Sequence, residues 1–152
     1  MSPRYANVKK GYAEDLHDGN FYKSGWERDF ARFLLFLMEH NVVDGYEYEP
    51  YTFSFQGLGY ARGPFTYSPD FILKFSKKIP KKKMNQIKPI FGEINPGQLM
   101  YVEVKGQETG KDRNKWRRFR KHIDEPLAIV KRKEMMEIQR KFPVQNWESH
   151  VY

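Results

Sequence analysis

The sequence predicts an α/β fold in which helices cover a β-sheet. Amphipathic segments with helical spacing alternate along the chain with short runs rich in Val, Ile, Phe and Tyr that lack it. Their order is helix, three strands, helix, strand and helix, which indicates a sheet with helices packed on it and not a helical bundle. Because 152 residues can bury one core but not two, we expect a single domain over residues 23–152.

The first helix is predicted over residues 24–40. Apolar side chains recur there at helical spacing, charged ones lie on the other side, and Asn41 suits the helix end. The apolar set is Trp26, Phe30, Phe33, Leu34 and Leu37. Residues 1–22 mix Gly, Asn, Asp and Lys without periodicity, so we expect a flexible or loosely packed arm before this helix.

Three strand-like segments follow. Residues 46–55 are rich in Tyr, Phe and Thr, and a glycine-rich turn separates them from residues 66–75, where Pro69 predicts a strand that begins near Asp70. Residues 99–104 form a short apolar strand. Between the last two, residues 76–98 are lysine-rich and contain three prolines and two glycines, which indicates an excursion outside the sheet.

The remaining elements alternate between helix and strand. Residues 111–123 place Trp116, Phe119 and Ile123 at helical spacing among basic residues, which predicts a helix with a basic outer face. Residues 126–130 indicate a buried strand, and residues 133–142 a last amphipathic helix.

Charge and composition narrow the function classes. The chain has 27 Lys and Arg against 19 Asp and Glu, a formal net charge of +8, which favours a polyanionic partner and above all nucleic acid. No apolar stretch is long enough to span a membrane, and we expect no membrane role. The absence of cysteine and of a leader-like N-terminus predicts a cytoplasmic protein, and any bound metal would be held by oxygen.

The segment Val102-Glu103-Val104-Lys105 carries the first chemical signal. Side chains alternate along a strand, so Glu103 and Lys105 project to one face and both valines to the other. An acid beside a base can hold a metal ion, orient an attacking water and stabilise charge on a phosphate. An isolated Glu-x-Lys is more often an ordinary exposed pair, so this motif is weak evidence when taken alone.

Two further acids each have a structural alternative. Asp70 in Ser-Pro-Asp either binds a metal or satisfies backbone N–H groups in a turn. Glu27 lies at the edge of the apolar face of the first helix, where an unpaired carboxylate is costly. It either binds a metal or completes a capping box with Ser24.

The ordered set Glu27, Pro69-Asp70 and Glu103-x-Lys105 resembles the PD-(D/E)xK nuclease superfamily, over roughly residues 23–130. The stretches 23–27, 46–51, 67–71 and 102–106 look most like phage endonuclease I-type Holliday-junction resolvases. The resemblance implies a mixed central sheet flanked by helices, restriction-endonuclease-like, and a metal-dependent DNA endonuclease in a bacterial or phage-infected cell. The excursion 76–98 departs from the tight hairpin usual between these strands.

The resemblance also implies roles for individual residues. Asp70, Glu103 and the Val104 carbonyl would hold Mg²⁺, for which Mn²⁺ could substitute. Lys105 would be the catalytic base or an electrostatic aid, and Glu27 an accessory ligand. A homodimer would be needed to cut paired strands, preferably of branched or junction DNA.

Basic side chains before and after the site motif predict a phosphate-binding surface, although charge runs are more often solvated faces. We predict DNA contacts at Ser24, Lys81, Lys82, Lys83, Lys111, Arg113, Lys115, Arg117, Arg118, Arg120 and Lys121. The competing hypothesis is a noncatalytic nucleic-acid-binding or packaging module whose acids are only structural. Metal-dependent cleavage separates the two, whereas salt-dependent binding does not.

Overall fold

The protein is described here from a computed structural model, which describes residues 10–148. A central four-stranded sheet organises the chain, and two small two-stranded sheets accompany it. The elements are β1 (Gly11–Tyr12), β2 (Phe21–Tyr22), α1 (Gly25–Glu39), β3 (Val43–Tyr48), β4 (Phe53–Ser54), β5 (Thr66–Tyr67), β6 (Phe71–Phe75), α2 (Lys81–Phe91), β7 (Leu99–Val104), α3 (Gly110–His122), β8 (Leu127–Val130) and α4 (Arg132–Lys141).

The central sheet is mixed and has the strand order β3-β6-β7-β8. The β3–β6 and β6–β7 pairs are antiparallel, whereas β7 and β8 are parallel. A parallel pair needs a crossover, and α3 supplies it. The prediction of an α/β fold with a mixed sheet flanked by helices is therefore confirmed at this level.

The two faces of the sheet pack against two different hydrophobic cores. Alternate residues such as Leu73 and Val102 point to a large core built with α1, α2 and α4. The intervening residues, Tyr101 among them, point to a smaller aromatic core with Trp116 and Phe119 of α3 and with the β4–β5 hairpin. This alternation follows from the two-residue period of a strand.

Most predicted elements lie where the sequence places them. α1, β7, α3, β8 and α4 begin and end within two residues of their predicted bounds. One predicted strand is broken: Glu49 has a positive φ of 49° and precedes Pro50, so segment 46–55 divides between β3 and β4. The strand predicted to begin near Asp70 is confirmed as β6, whereas the two-residue strand β5, which precedes Ser68-Pro69-Asp70, was not predicted.

The expected excursion over residues 76–98 does leave the sheet between β6 and β7, but the sequence did not predict that it contains α2. Ile87, Ile90 and Phe91 of this helix are buried in the large core. The Phe91 ring stacks on Phe33 with centroids 6.2 Å apart. Apolar side chains at helical spacing therefore hold the segment on the sheet despite its lysines and prolines.

The expected loose arm does not hold for residues 10–22, while residues 1–9 lie outside the described part. The Tyr22 side chain is fully buried, and its ring lies 4.4 Å from the ring of Tyr48. Asp15 accepts two hydrogen bonds of 2.9 Å from the Arg32 guanidinium. Short strands and side-chain pairing thus fix this segment without a periodic sequence pattern.

Across residues 10–148, none of the helices combines the length and the apolar character required to cross a membrane.

Candidate active site

Asp70 and Glu103 lie directly opposite each other at one end of the sheet. The antiparallel register pairs Phe71 with Val102, and its extension by one residue brings Asp70 across from Glu103. Directly opposed residues have Cβ atoms about 5 Å apart. The structure thus brings together the two acids that the sequence singled out, from segments 33 residues apart in the chain.

Asp70 is held by the backbone of the neighbouring strand. Its side chain is 6% exposed, and its Oδ2 accepts a hydrogen bond of 2.8 Å from the Val104 N–H. Burial raises the pKa of Asp70 well above its usual range, and the charges of Glu103 and Glu27 raise it further. Each of these effects disfavours the carboxylate anion, so the position is one that a cation would stabilise.

Glu103 has a comparable environment on β7. It is 9% exposed, and its Oε1 accepts a hydrogen bond of 2.7 Å from the Tyr67 hydroxyl. Burial raises the pKa of Glu103 to about 7, while the Tyr67 hydroxyl and the Lys105 ammonium act in the opposite direction. Tyr67 thereby fixes one oxygen and leaves Oε2 without a hydrogen bond from the described residues.

Glu27 approaches from the first turn of α1 and is engaged by other groups. Its Oε1 accepts hydrogen bonds from the Tyr48 hydroxyl and, at 3.4 Å, from the Lys23 N–H. Burial raises its pKa. Ser24 caps the helix, because its hydroxyl accepts the Glu27 N–H at 3.1 Å. Only this half of the expected capping box forms, since the Glu27 carboxylate contacts Lys23 in place of Ser24.

Lys105 follows β7 on the same face as Glu103. Its Nζ lies 3.4 Å from Oδ1 of Asp112, and its charge lowers the pKa of Glu103. Asp112 belongs to the first turn of α3, where it forms a reciprocal capping box with Thr109. The start of α3 therefore anchors the ammonium group beside the acids.

The donor set suits a hard cation, although it is small. Asp70 Oδ1 and Glu103 Oε2 carry no hydrogen bond from the described residues. The Val104 carbonyl points to the same side of β7 as its N–H, towards Asp70. Magnesium commonly uses one or two carboxylates and completes its coordination with water. Within residues 10–148, no group of three or more His, Cys, Asp and Glu side chains is arranged to hold an ion.

The basic side chains of α3 fall into two groups. Lys111, Arg113, Arg117, Arg120 and Lys121 are exposed, whereas Lys115 and Arg118 are half-buried. Arg118 donates to the Pro64 carbonyl and lies 3.9 Å from the centroid of the Tyr60 ring. Arg120 donates to the Leu127 carbonyl at 2.9 Å. These two arginines therefore have structural partners in addition to any role in binding.

The lysines of α2 lie on a segment that joins the other end of the sheet. Residues 76–98 leave β6 after Phe75 and return to β7 at Leu99, and Leu99 pairs with Lys74, at the end opposite Asp70 and Glu103. Lys81, Lys82 and Lys83 thus stand on a connection that the fold attaches away from the acids. These lysines are thus near the site motifs in sequence, but the fold attaches them at the other end of the sheet.

Sequence reasoning missed the residues that hold the acids and Lys105 in place. They are Lys23, Tyr48, Glu49, Tyr67 and Asp112. Glu49 donates its N–H to the Asp70 carbonyl at 2.6 Å, and its side chain pairs with Lys23 at 2.7 Å. Tyr67 and Asp112 lie close in sequence to the site motifs and could have been considered, whereas the contact of Tyr48 with Glu27 depends on tertiary packing.

Compared with protein-family models, with curated proteins and with solved structures, the chain has no match.

Proposed function

We propose that this chain is a magnesium-dependent endonuclease that hydrolyses phosphodiester bonds in DNA. The observation that carries the proposal is the pairing of Asp70 and Glu103 across two central strands, with Lys105 on the same face as Glu103. Two buried acids and a neighbouring ammonium group at a sheet end suit phosphate chemistry. The mixed sheet with helices on both faces supports the restriction-endonuclease-like form that the sequence resemblance implies.

Asp70 and Glu103, with the Val104 carbonyl, are the residues that would hold the ion. Mg²⁺, or Mn²⁺ in its place, neutralises charge on the attacked phosphate and lowers the pKa of water when it is bound. The protein's contribution is to keep the two acids rigid: the Val104 N–H orients Asp70, and the Tyr67 hydroxyl orients Glu103. Glu27, engaged by Tyr48, is placed to act through the charge it adds to the site.

Lys105 supplies a positive charge beside the two acids. The pair with Asp112 directs its ammonium group to the face that carries Glu103. There it can donate a hydrogen bond that orients the attacking water, or stabilise charge that develops on the phosphate oxygens. Gly106 follows immediately and is exposed, so the backbone at this point leaves room for a substrate strand.

DNA is the substrate that the charge favours. The net charge of +8 and the exposed basic residues of α3, which begins beside Lys105, support phosphate contacts along the substrate backbone. Selectivity for branched or junction DNA and action as a homodimer, which would bring two sites to two strands, are part of the same proposal. Sedimentation velocity with and without a junction tests the dimer.

Cleavage assays with matched variants test the activity. The protein is incubated with supercoiled, linear and four-way-junction DNA in Mg²⁺, in Mn²⁺ or in EDTA. We expect metal-dependent nicking that falls at least about a hundredfold in both variants. Asp70→Asn loses a ligand charge for the ion, and Lys105→Met loses charge stabilisation in the transition state. Glu47→Gln, an exposed acid on β3, is the control and should retain full activity.

The opposite result would favour the noncatalytic alternative. If the wild type binds these DNAs but cuts none of them in either metal, the acids are structural and the chain is a nucleic-acid-binding module. Equal cleavage by the wild type and Asp70→Asn would instead indicate a contaminating nuclease.

A further inference from the structure

An exposed aromatic pair stands on the hairpin that precedes α1. Tyr12 and Phe21 pair across β1 and β2 and are 61% and 51% exposed. Their ring centroids are 5.1 Å apart at an interplanar angle of 76°. In an edge-to-face pair, the ring that contributes its edge keeps both flat faces outside the contact. The hairpin therefore presents open aromatic surface to the solvent.

The hairpin is fixed and does not act as a loose tail. Tyr22, the neighbour of Phe21, is fully buried and packs on Tyr48. On the other strand, the Gly11 carbonyl accepts a hydrogen bond of 3.2 Å from the buried Arg28. Each strand of the hairpin thus has one anchor in the domain, and the Tyr12–Phe21 pair is held on its outer face.

The strand that carries Phe21 leads into the candidate active site. Phe21 is two residues before Lys23, whose N–H donates to Glu27 at 3.4 Å. Two residues span at most about 7 Å, so the Phe21 backbone is within about one nucleotide step of the residue that contacts Glu27. Tyr22, the next residue after Phe21, also lies 6.2 Å, ring to ring, from Phe71, the neighbour of Asp70. A nucleic acid strand with a phosphate at Asp70 and Glu103 would therefore pass near the hairpin.

The aromatic rings and the positive charge of this surface favour single-stranded nucleic acid as its ligand. The exposed Lys10 precedes the two aromatic strands, and Lys23, which is exposed and paired with Glu49, follows them. The chain carries a net charge of +8. Flat rings beside cationic groups are the features that bind single-stranded nucleic acid, because bases stack on the rings while the cations contact phosphates. A paired base inside a duplex is already stacked on both sides and cannot use such a ring.

We propose that Tyr12 and Phe21 form a stacking platform for an unpaired base next to the scissile phosphate. The position of this platform relative to the cut rests on the proposed nuclease function, whereas its binding of a base does not. It makes the hairpin a specificity-determining element, which favours DNA with unpaired nucleotides at the site over continuous duplex.

Binding measurements without metal test the platform separately from cleavage. Fluorescence anisotropy in EDTA compares a single strand with a blunt duplex of equal length and sequence. We expect Phe21→Ala and Tyr12→Ala each to weaken single-strand binding by about tenfold or more, and duplex binding by less than about twofold. Phe21→Trp should retain binding to the single strand, because it keeps an aromatic face.

Two controls make the loss specific. Leu99→Ala truncates an apolar side chain of 41% exposure at the far end of the sheet and should change neither affinity. A 2-aminopurine base in the single strand should change its fluorescence on binding to the wild type and much less on binding to Phe21→Ala. Thermal melts of each variant should match the wild type, because the replaced rings are exposed.

Three results would contradict the proposed stacking platform. The first is an equal loss of affinity for single strand and duplex, and the second is unchanged affinity in both alanine variants. The third is a wild-type dimer that Phe21→Ala converts to a monomer, because this would assign the aromatic pair to self-association. Cleavage and base stacking fail independently, because an inactive protein can still show the 2-aminopurine response, and an active one can lack it.

Discussion

Lys105 Nζ lies 3.4 Å from Asp112 Oδ1, so the first turn of α3 positions the ammonium group on the face that carries Glu103. Asp112 also accepts the Thr109 N–H at 2.9 Å. One carboxylate therefore starts the helix and orients the lysine, which couples the basic helix to the candidate site.

Replacement Asp112→Asn separates these two roles. An amide oxygen can still accept the Thr109 N–H, so we expect the helix to remain capped and the free energy of unfolding to fall by less than about 1 kcal/mol. Lys105 loses its charged partner, and the rate of cleavage should fall roughly tenfold, since about 1.4 kcal/mol of positioning corresponds to that factor. Single-turnover cleavage and thermal melts measure the two effects.

Asp112→Ala is the companion variant. It should lose both the cap and the rate, with a lower melting temperature. An Asp112→Asn protein that cleaves at the wild-type rate would show that the contact with Lys105 has no part in catalysis.

The raised pKa of Glu103 makes the metal-free protein less stable as pH rises. Its folded pKa is about 7 against an ordinary value of 4.5, so between these values the folded state binds more protons than the unfolded state. Stability then falls across this window and the penalty is complete above about pH 7. A difference of this size corresponds to roughly 3 kcal/mol.

Glu103→Gln removes that penalty. In EDTA at pH 8, we expect a free energy of unfolding about 2–3 kcal/mol above that of the wild type, with no difference at pH 4.5. Urea denaturation across this pH range measures it, and Glu47→Gln, an exposed acid, should follow the wild type. Added Mg²⁺ should stabilise the wild type and leave Glu103→Gln nearly unchanged. A Glu103→Gln protein that is less stable than the wild type at pH 8 would contradict the assignment.

Two buried arginines of α1 pair with acids from segments that lie before and after it in the chain. Arg28 donates to Glu148 at 2.8 Å, and Arg32 contacts Glu148 at 2.7 Å as well as Asp15. Burial opposes the Glu148 anion, yet the two arginines lower its pKa below the ordinary value. Its contribution to stability is therefore present at neutral pH and is lost as pH falls through its folded pKa.

Glu148→Gln should destabilise the protein by about 1–2 kcal/mol at pH 7, because it removes the charged partner of the buried Arg28 and one of the charged partners of Arg32. For a chain of this size, that corresponds to a fall in melting temperature of roughly 3–8 °C. Glu93→Gln is the matched control, since Glu93 pairs with Lys88 while 84% exposed, and it should melt as the wild type does. If both variants melt at the same temperature, the contacts of the two arginines with Glu148 do not contribute to the stability of the fold.

The predictable parts of the fold are those with local periodicity. Trp116 and Phe119 of α3, for example, occur at the spacing of one helix face and are buried together. α2 escaped prediction because Pro80 and Pro89 interrupt its pattern, although Ile87, Ile90 and Phe91 follow helical spacing. Its helical form depends on packing in the core, and the same holds for Tyr22 in the β1–β2 hairpin, whose strands have only two residues each.

The candidate site likewise has a part that the sequence predicts and a part that depends on tertiary structure. Alternation along β7 placed Glu103 and Lys105 on one face, and chain order suggested Asp70 as their neighbour. The register that sets Asp70 across from Glu103 is a tertiary property. So are the hydroxyl contacts of Tyr67 with Glu103 and of Tyr48 with Glu27, which join residues 36 and 21 positions apart.

The basic residues on α2 and α3 should differ in their effect on DNA binding. Lys111, Arg117 and Lys121 are exposed on α3, whose first turn contacts Lys105, whereas Lys81–Lys83 belong to the connection at the other end of the sheet. Replacing three residues by glutamine removes the same charge in each case. If the α3 residues contact phosphates, their loss reduces the slope of log affinity against log salt by up to about 2.7, or roughly 0.9 per contact. The α2 variant should change the slope by less than about 1. Anisotropy titrations over a range of salt concentrations measure both slopes, and equal slopes in the two triple variants would mean that net charge, and not the position of α3 beside the acids, determines binding.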